Sequence, residues 1–377
     1  MVARRGGPRV TNTGNSRIGN TGNPRIGNPR IGNTGNPRIG DTGSPRIENI
    51  GNPRGVKTGR PRVANADASP AKIPRARSAT IPSPPDAAPG TQRAATASAR
   101  RAATSKTLRV VTWNINSLRL RLPLLHELVA ALDPDVICLQ ETKVPDDLFP
   151  HQAKVELGYP HAAWRGMKGY NGVAIFARRP IEVLDHAPDW CAKGDCRHLA
   201  VAVDAEGGPV ELHDFYVPAG GDIPDRELNP KYGHKLDFIA EARDWFAARA
   251  GGSGTPLARA VLVGDLNIAP LEHDVWSHKQ LLNVVSHTPP ETEGLLAWQH
   301  TGFVDAVRHF VPDDEKLFTW WSYRNRDWRL SDRGRRLDHV WVTPDLQGAL
   351  RRHTVMRDAR DWDRGSDHVP VCVELAL

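Results

Sequence analysis

The chain has 377 residues, with 50 lysines and arginines against 43 acids, a net charge of +7. That sum hides two opposites: residues 1–106 hold 19 basic and 4 acidic side chains, whereas residues 107–377 hold 31 and 39, so the parts carry +15 and −8. No signal-peptide core and no apolar run near the ~18 residues of a membrane span is present, and four scattered cysteines exclude a disulfide framework. The expectation is a soluble protein of a reducing compartment.

Residues 16–54 repeat an octad close to Asn-Pro-Arg-Ile-Gly-Asn-Thr-Gly, with copies beginning near Asn15, Asn23, Asn36, Ser44 and Asn52 and a partial one at Asn28. One Ile per copy cannot fill a solenoid core, and Gly, Pro and Asn break both helix and strand. From Val56 to Lys106 the repeat dissolves into Ala, Pro, Ser, Thr and Arg. Residues 1–106 therefore read as a disordered basic tail. Its arginines could tether nucleic acid weakly; the competing reading is a tolerated repeat expansion, or a coding start placed too far upstream.

Order is expected from Leu108. Residues 108–115 form a β-run ending at Asn114 and Asn116, and Leu118, Leu122, Leu125, Leu128, Val129 and Leu132 follow at helical spacing. Asp133-Pro134 stops that helix. A strand over 135–139 then delivers Glu141. Further strands are expected at 172–177, 199–203, 210–217, 260–264, 338–343 and 369–375, with a second helix over about 231–249 marked by Leu236, Ile239, Ala240, Arg243 and Phe246. Strands outnumber helices and do not alternate strictly with them, so a layered α+β body with two packed sheets is expected. Cys138 and Cys372 lie in apolar runs and read as core thiols. Cys191 and Cys196 lack the second pair that a zinc site would need.

Four strand-like runs meet a carboxylate at one end: Glu141, Asp265, Asp338 and Asp367. Gathered acids are costly unless a cation or histidine sits among them. The pattern points to a metal-dependent hydrolase of phosphate esters.

Seven short motifs then give the body a resemblance. Thr112-Trp-Asn-Ile-Asn116, Leu139-Gln-Glu-Thr-Lys143, Gly172-Val-Ala174, Phe215-Tyr-Val-Pro218, Gly264-Asp-Leu-Asn-Ile268, Arg336-Leu-Asp338 and Ser366-Asp-His-Val-Pro370 stand in the order of the exodeoxyribonuclease III family. These are bacterial apurinic/apyrimidinic endonucleases of the endonuclease/exonuclease/phosphatase superfamily. The resemblance covers residues 107–377 and implies a four-layer αββα sandwich with two packed mixed β-sheets and an active site at one sheet edge.

It also implies roles. Glu141 resembles the Mg²⁺ ligand (Mn²⁺ being the alternative ion), with Asn116 and Asp367 helping to hold metal or order water; hard cations prefer such oxygen donors. Asn114 can hydrogen-bond the Glu141 carboxylate or a phosphate oxygen. Asp265 resembles the group that orients or deprotonates the attacking water, and Asn267 falls two residues on, facing the same side of an extended chain. His368 and Asp338 resemble the family's His–Asp pair, the acid fixing the tautomer and favouring the charged ring. Tyr216 resembles a phenol that reaches the scissile phosphate or the leaving oxygen. His213, on the opposite side of that strand, reads as structural or surface.

For DNA, Trp320 and Leu337 match positions lining a slot for a flipped abasic sugar. Lys143, Arg197, Lys235 and Arg333-Arg335-Arg336 are candidate phosphate contacts. Arg335 stands where relatives often carry a bulky apolar residue, and Ala219 where some carry a polar one, which bears on substrate preference and not on reaction type. The implied activity is base-excision repair: cleavage 5′ to abasic sites and 3′-5′ exonuclease or 3′-phosphodiesterase work on duplex DNA, by a cytoplasmic, nucleoid-associated monomer. The alternatives are a phosphoesterase for a non-DNA substrate, which Tyr216 disfavours, and a catalytically silent DNA-binding member.

Overall fold

A computed structural model describes residues 106–252 and 257–377. The expected disordered tail and its octads lie outside the described residues.

Two six-stranded sheets make up the body. The first runs in the order β11 (Leu350–Val355), β12 (Val371–Ala376), β1 (Thr107–Asn114), β2 (Val136–Gln140), β4 (Val173–Ala177), β3 (His161–Arg165). The second runs β5 (Ile181–Val183), β6 (His198–Val203), β7 (Val210–Tyr216), β8 (Ala260–Asp265), β10 (Asp338–Val342), β9 (Val304–Asp305). Every residue of β2, β4, β8 and β10 is buried. Covered on both faces, such strands read as unbroken apolar runs and not as alternation, which explains why they were conspicuous in the sequence.

Three apolar clusters stack as the layered reading expects. One, including Val110, Cys138, Ile175, Val201, Leu212, Val263 and Val340, fills the space between the sheets. A second joins Val111, Trp113, Ile137 and Phe176 to helix α1 (Leu118–Leu132). The third joins Phe215, Leu262 and Trp341 to helices α2 (Pro230–Ala250) and α3 (Pro289–Gln299) through Phe238, Phe246 and Trp298. Together they give a helix–sheet–sheet–helix order. Asp133 ends α1 in the left-handed conformation, and Asn229 caps α2 by accepting from the Lys231 amide at 3.1 Å.

The inner face of α2 differs from its expected markers. Ile239 and Phe246 are buried, but the stripe continues through Tyr232, Lys235, Ala242 and Arg249, and Leu236, Ala240 and Arg243 fall beside it. Two buried cations on the stripe, each paired with a glutamate, disguised the register. The edge strands β3, β5, β9 and β11 and helix α3 also went unforeseen.

Strand direction explains why the distant acids meet. β1 and β2 are parallel, and so are β7 and β8, so Asn114, Glu141, Tyr216 and Asp265 leave the sheets at the same end. β10 is antiparallel to β8 and pairs Asp338 directly with Asp265. β12 is antiparallel to β1, which brings the segment before it, Ser366 to His368, alongside Asn114.

Candidate active site at the sheet edge

One amide joins the two central carboxylates. Asn114 Nδ2 donates to Glu141 Oε1 at 3.1 Å and to Asp265 Oδ2 at 2.8 Å. Its own oxygen accepts from the Asn116 backbone N–H at 3.0 Å, so the side chain is held at both ends. The Tyr216 hydroxyl donates to Glu141 Oε1 at 2.7 Å. On the other side Asn267 grips Asp265 twice, through its backbone N–H to Oδ1 (2.9 Å) and its side-chain Nδ2 to Oδ2 (3.1 Å).

His368 closes the set. Its Nδ1 lies 2.8 Å from Asp338 Oδ2 and its Nε2 3.6 Å from Asp265 Oδ2. The ring therefore stands between two buried acids. Asn116, Glu141 and Asn267 adopt positive φ (47°, 53° and 55°); asparagine takes the left-handed conformation readily, whereas Glu141 there is uncommon. Gly264 is needed for the same junction, since a Cβ there would sit 1.9 Å from the Phe215 carbonyl.

The electrostatics follow from burial and partners. Burial alone would raise the Glu141 pKa, but Lys143, Tyr216 and Asn114 outweigh it and hold the group below its usual range. Asp265 is pushed up to about 7 by burial, with His368 opposing and Asp338 adding to the rise. For His368 burial works downward, yet Asp338 and Asp265 dominate and push it up to about 10. Burial and Glu141 raise Tyr216 well above an ordinary phenol, so it remains a proton donor.

The donor chemistry fits a hard divalent cation. Glu141 and Asp367 offer carboxylate oxygens on either side of the Asn114–Asn116 pair, of the kind a hard cation prefers, and Glu141 Oε2 is paired with Lys143 Nζ at 2.8 Å. A second grouping, Asp265, Asp338 and His368, also has ligand atoms close enough to enclose a metal. In that grouping His368 Nδ1 and Asp338 Oδ2 lie 2.8 Å apart, as Lys143 and Glu141 do on the other side.

Other expected residues divide. Asp367 is engaged by Asn116 Nδ2 (3.2 Å) and by Trp320 Nε1 (3.0 Å), which ties the Trp320 segment to the site. Arg197 lies 4.9 Å over the Tyr216 ring and pairs with Asp195. Arg335 lies over Trp320 and donates to Val285 O and Ser286 Oγ. Leu337 is buried behind Trp320 and does not line the cavity there.

Lys235 is a correction. It was expected at a DNA phosphate, but it is fully buried, 2.5 Å from Glu291 Oε1, and it donates to the Asn267 carbonyl at 2.8 Å. Its charge stabilises the Asn267 turn from beneath. Arg336 is likewise buried, paired with Asp305 and Asp274, and reaches no surface. His213 is structural, fully buried between His198 and Glu211.

Sequence reading missed Thr319. Its hydroxyl donates to Asp338 Oδ2 at 2.6 Å and accepts from the backbone N–H groups of Leu337 and Asp338. It also missed Arg121, which leaves helical geometry inside α1 to donate to the carbonyls of Ile115, Asn116 and Gly365. Thr319 acts on a segment remote in sequence, and Arg121 sits inside a helical pattern that reads as solvent-facing, although two of its acceptors are only five and six residues away.

Two sheets with a carboxylate–amide–imidazole cluster at one end define a class of phosphoesterases, and comparison with known proteins gives the family. The profile of the "Endonuclease/Exonuclease/phosphatase family" matches residues 111–368, and the chain belongs to that family. It is 28% identical over 274 residues to exodeoxyribonuclease III of Haemophilus influenzae, covering 71% of this chain and 99% of that protein. Among solved structures it is similar to a 3′ phosphatase from Neisseria bound to a product DNA hairpin (30% identity, TM-score 0.64). It is similar also to an AP endonuclease from Archaeoglobus fulgidus (28%, 0.64); each alignment covers 72% of this chain and 100% of the other.

Proposed function

We propose that this chain is a Mg²⁺-dependent phosphodiesterase of DNA repair, which cuts duplex DNA 5′ to abasic sites and removes 3′ blocking groups or nucleotides. The observation that carries this reading is the Asn114 amide joining Glu141 to Asp265, with the His368–Asp338 pair against the same Asp265. Relatives named as exodeoxyribonuclease III, a DNA-bound 3′ phosphatase and an AP endonuclease support the substrate class.

The residues divide the work as follows. Glu141, with Asn116 and Asp367, would hold Mg²⁺ or Mn²⁺, which when bound supplies positive charge to offset the leaving 3′ oxygen. Asp265, its oxygens fixed by Asn267 and Asn114, orients the attacking water and accepts its proton. His368, kept protonated by Asp338 and Asp265, holds a non-bridging phosphate oxygen as charge develops. Asn114 assists it. Tyr216 presents a hydroxyl that stays protonated, directed to the phosphate or the departing oxygen. Trp320, Leu337, Arg197 and Arg335 belong to the substrate-binding surface, Leu337 from behind.

The same reading takes residues 107–377 as the catalytic body, acting as a monomer, and residues 1–106 as a tail whose arginines add at most a weak, salt-sensitive attraction to DNA. Among the described residues no helix is long and apolar enough to cross a membrane; cytoplasmic, nucleoid-associated work fits a DNA substrate.

A duplex panel (abasic analogue, 3′-phosphate, blunt end, RNA–DNA hybrid) with and without Mg²⁺ tests the reading. The expected result is Mg²⁺-dependent incision at the abasic analogue and release from the 3′ end, abolished in Asp265→Asn. Cleavage that survives EDTA, or an unimpaired Asp265→Asn, would overturn it. Equal salt dependence for the full chain and a chain starting at residue 107 would remove the tail's role.

A further inference from the structure

The space between the two sheets is apolar over most of its length, but three polar side chains enter it close to the catalytic edge. Alternation along the strands puts Thr112 on the face of β1 that carries Val110, and Gln140 on the face of β2 that carries Cys138. Asp214 stands between Leu212 and Tyr216 on the inner face of β7. Val110, Cys138, Leu212 and Tyr216 all belong to the cluster between the sheets, and Thr112, Gln140 and Asp214 are completely buried. An ionised acid in such a place is costly unless a cation or a full set of hydrogen bonds meets it.

Asp214 has neither. Among the described residues no lysine, arginine or histidine pairs with it, and one side-chain donor reaches it: Gln140 Nε2 lies 2.6 Å from its Oδ1. The same amide nitrogen donates to Thr112 Oγ1 at 2.9 Å. The other carboxyl oxygen, Oδ2, has no hydrogen-bond partner, and neither has the Gln140 amide oxygen. Two side chains in contact thus each leave an acceptor without a donor. An ionised carboxylate has no hydrogen to give and cannot repair this. A carboxylic acid can, because its O–H donates to the amide oxygen while the amide N–H donates back. The 2.6 Å separation agrees, being short for an amide donor and ordinary for a hydroxyl donor. Whichever way the amide is turned, one added proton supplies the missing donor. Burial acts in the same direction, pushing the Asp214 carboxyl well above its ordinary range with Gln140 and the Leu139 backbone opposing.

The place of this contact connects it to the site. Gln140 immediately precedes Glu141, and Asp214 stands two residues before Tyr216. β2 lies in the first sheet and β7 in the second. At the edge the two strands meet through the Tyr216 hydroxyl on Glu141 Oε1 at 2.7 Å. The Gln140–Asp214 contact is the next rung inward. Apolar packing resists separation of the sheets but specifies their mutual register loosely, whereas a fully satisfied buried polar pair has one geometry.

We propose that Asp214 is held as a neutral carboxylic acid paired with the Gln140 amide across the sandwich, and that this pair positions Glu141 against Tyr216. Both are positioning residues: they lie inside the core and act through the side chains beside them. The kinetic consequence rests on the hydrolase reading, while the proton itself is measured without substrate.

The test uses the full chain. An infrared difference spectrum between wild type and Asp214→Asn at neutral pH should show, in the wild type, the C=O stretch of one protonated carboxylic acid. Asp214→Asn keeps a neutral side chain of the same shape, so kcat and KM on an abasic duplex should stay near wild-type values. It should also gain stability over wild type as pH rises from about 4 to 7. The folded-state pKa of Asp214 is raised, so the stability its neutral form contributes is full below the ~3.9 of an unfolded aspartate and is lost as pH climbs above it. The neighbouring Cys138 thiol is pushed well above its usual value by burial and stays neutral across that window. Asp214→Leu leaves the Gln140 amide unpaired and should lower kcat roughly tenfold, with KM little changed. The absence of the acid band, as an ionised carboxylate bridged by trapped water would give, overturns the proposal. So does a stability gap that fails to widen with pH, or an Asp214→Asn variant that loses as much kcat as Asp214→Leu. A folded Asp214→Leu with wild-type kcat would sink the positioning role. Should the wild type cleave no duplex, the hydrolase reading falls alone, because the acid band and the stability gap decide the Asp214–Gln140 pair without substrate.

Discussion

Among the described residues, two clusters set a buried histidine against carboxylates, and their protons behave oppositely. At the sheet edge His368 lies between Asp338 and Asp265. Under α2, His213 lies 2.6 Å from Glu211 and 3.0 Å from His198. Burial penalises the charged ring in both places. His368 is nevertheless raised to about 10, whereas His213 is lowered. The difference lies in the charges that face each ring. Burial outweighs the single acid Glu211 at His213, where Arg249, clamping Glu211 at 2.6 and 2.8 Å, and His186 also oppose protonation. Asp338 and Asp265 meet mainly hydroxyl and amide donors, Thr319, Asn114 and Asn267, and their charge remains available to the ring. The ring at the sheet edge is charged because Asp338, Asp265 and Asp367 together outweigh its burial.

The largest expected effect breaks the comparison at its functional end. His368→Asn should reduce kcat on an abasic duplex by about 10²–10⁴-fold, the usual range for a proton-bearing catalytic side chain, with little change in Tm. His213→Asn should do the reverse and cost stability while sparing the chemistry in whatever fraction stays folded. If single-turnover rates of the two variants fall alike, the two clusters are not functionally distinct.

Next in size is Glu211→Gln. Replacing the carboxylate that faces the buried Arg249 by a neutral amide should cost about 3 kcal/mol of unfolding free energy, measured by urea denaturation. The sign with pH is fixed: burial would raise the Glu211 pKa, but His213 and Arg249 hold it far below its ordinary value. Its stabilisation is therefore present above about 4.5, the pKa of an unfolded glutamate, and is lost as pH falls below that. The gap between wild type and Glu211→Gln should close in acid. A gap independent of pH would mean that the carboxylate's charge is not what Arg249 requires.

The pH profile sharpens the comparison without a substitution. If Asp265 takes the proton of the attacking water as proposed, kcat/KM should rise with pH through a limb near 7, set by burial of that carboxyl. Asp338 adds to the rise in both Asp265 and His368, so Asp338→Asn should move the acid limb to lower pH. In the metal-free chain, ¹⁵N-histidine NMR should show His368 still protonated well above the ~6.5 of a free imidazole, with His213 neutral at that point. A limb that moves upward in Asp338→Asn would contradict the assignment.

Much of the edge cluster was legible in sequence, and almost none of the cluster under α2. Glu141, Asp265 and Asp338 each follow or open a run of fully buried strand, and an acid at such a place has few structural excuses. Two packed sheets were legible because strands outnumber helices without alternating strictly with them, and the four-layer order came from the motif resemblance. Lys235 misled because a lysine on a helix reads as solvent-facing, and only the structure brings Glu291 of α3 against it. Helix α3 and the edge strands β5, β9 and β11 were missed because their burial is partial. Thr319 was invisible for another reason: its role is a contact to Asp338 from across the site, and no local pattern records that.

Thr319 also supplies the smallest and most discriminating prediction. Its hydroxyl is one of the neutral donors that soften Asp338 without cancelling it. Thr319→Val keeps the shape and removes that donor, leaving the Leu337 and Asp338 amides without their acceptor; the cost should be about 1–3 kcal/mol of stability. Without that donor the Asp338 oxygens are left to the ring alone, so Asp338 should hold the His368 proton more strongly. The His368 titration should then move to higher pH, opposite in sign to Asp338→Asn, while kcat falls only several-fold. If both substitutions move that titration the same way, Thr319 is simply packing, and the balance of donors around Asp338 does not set the charge on the ring.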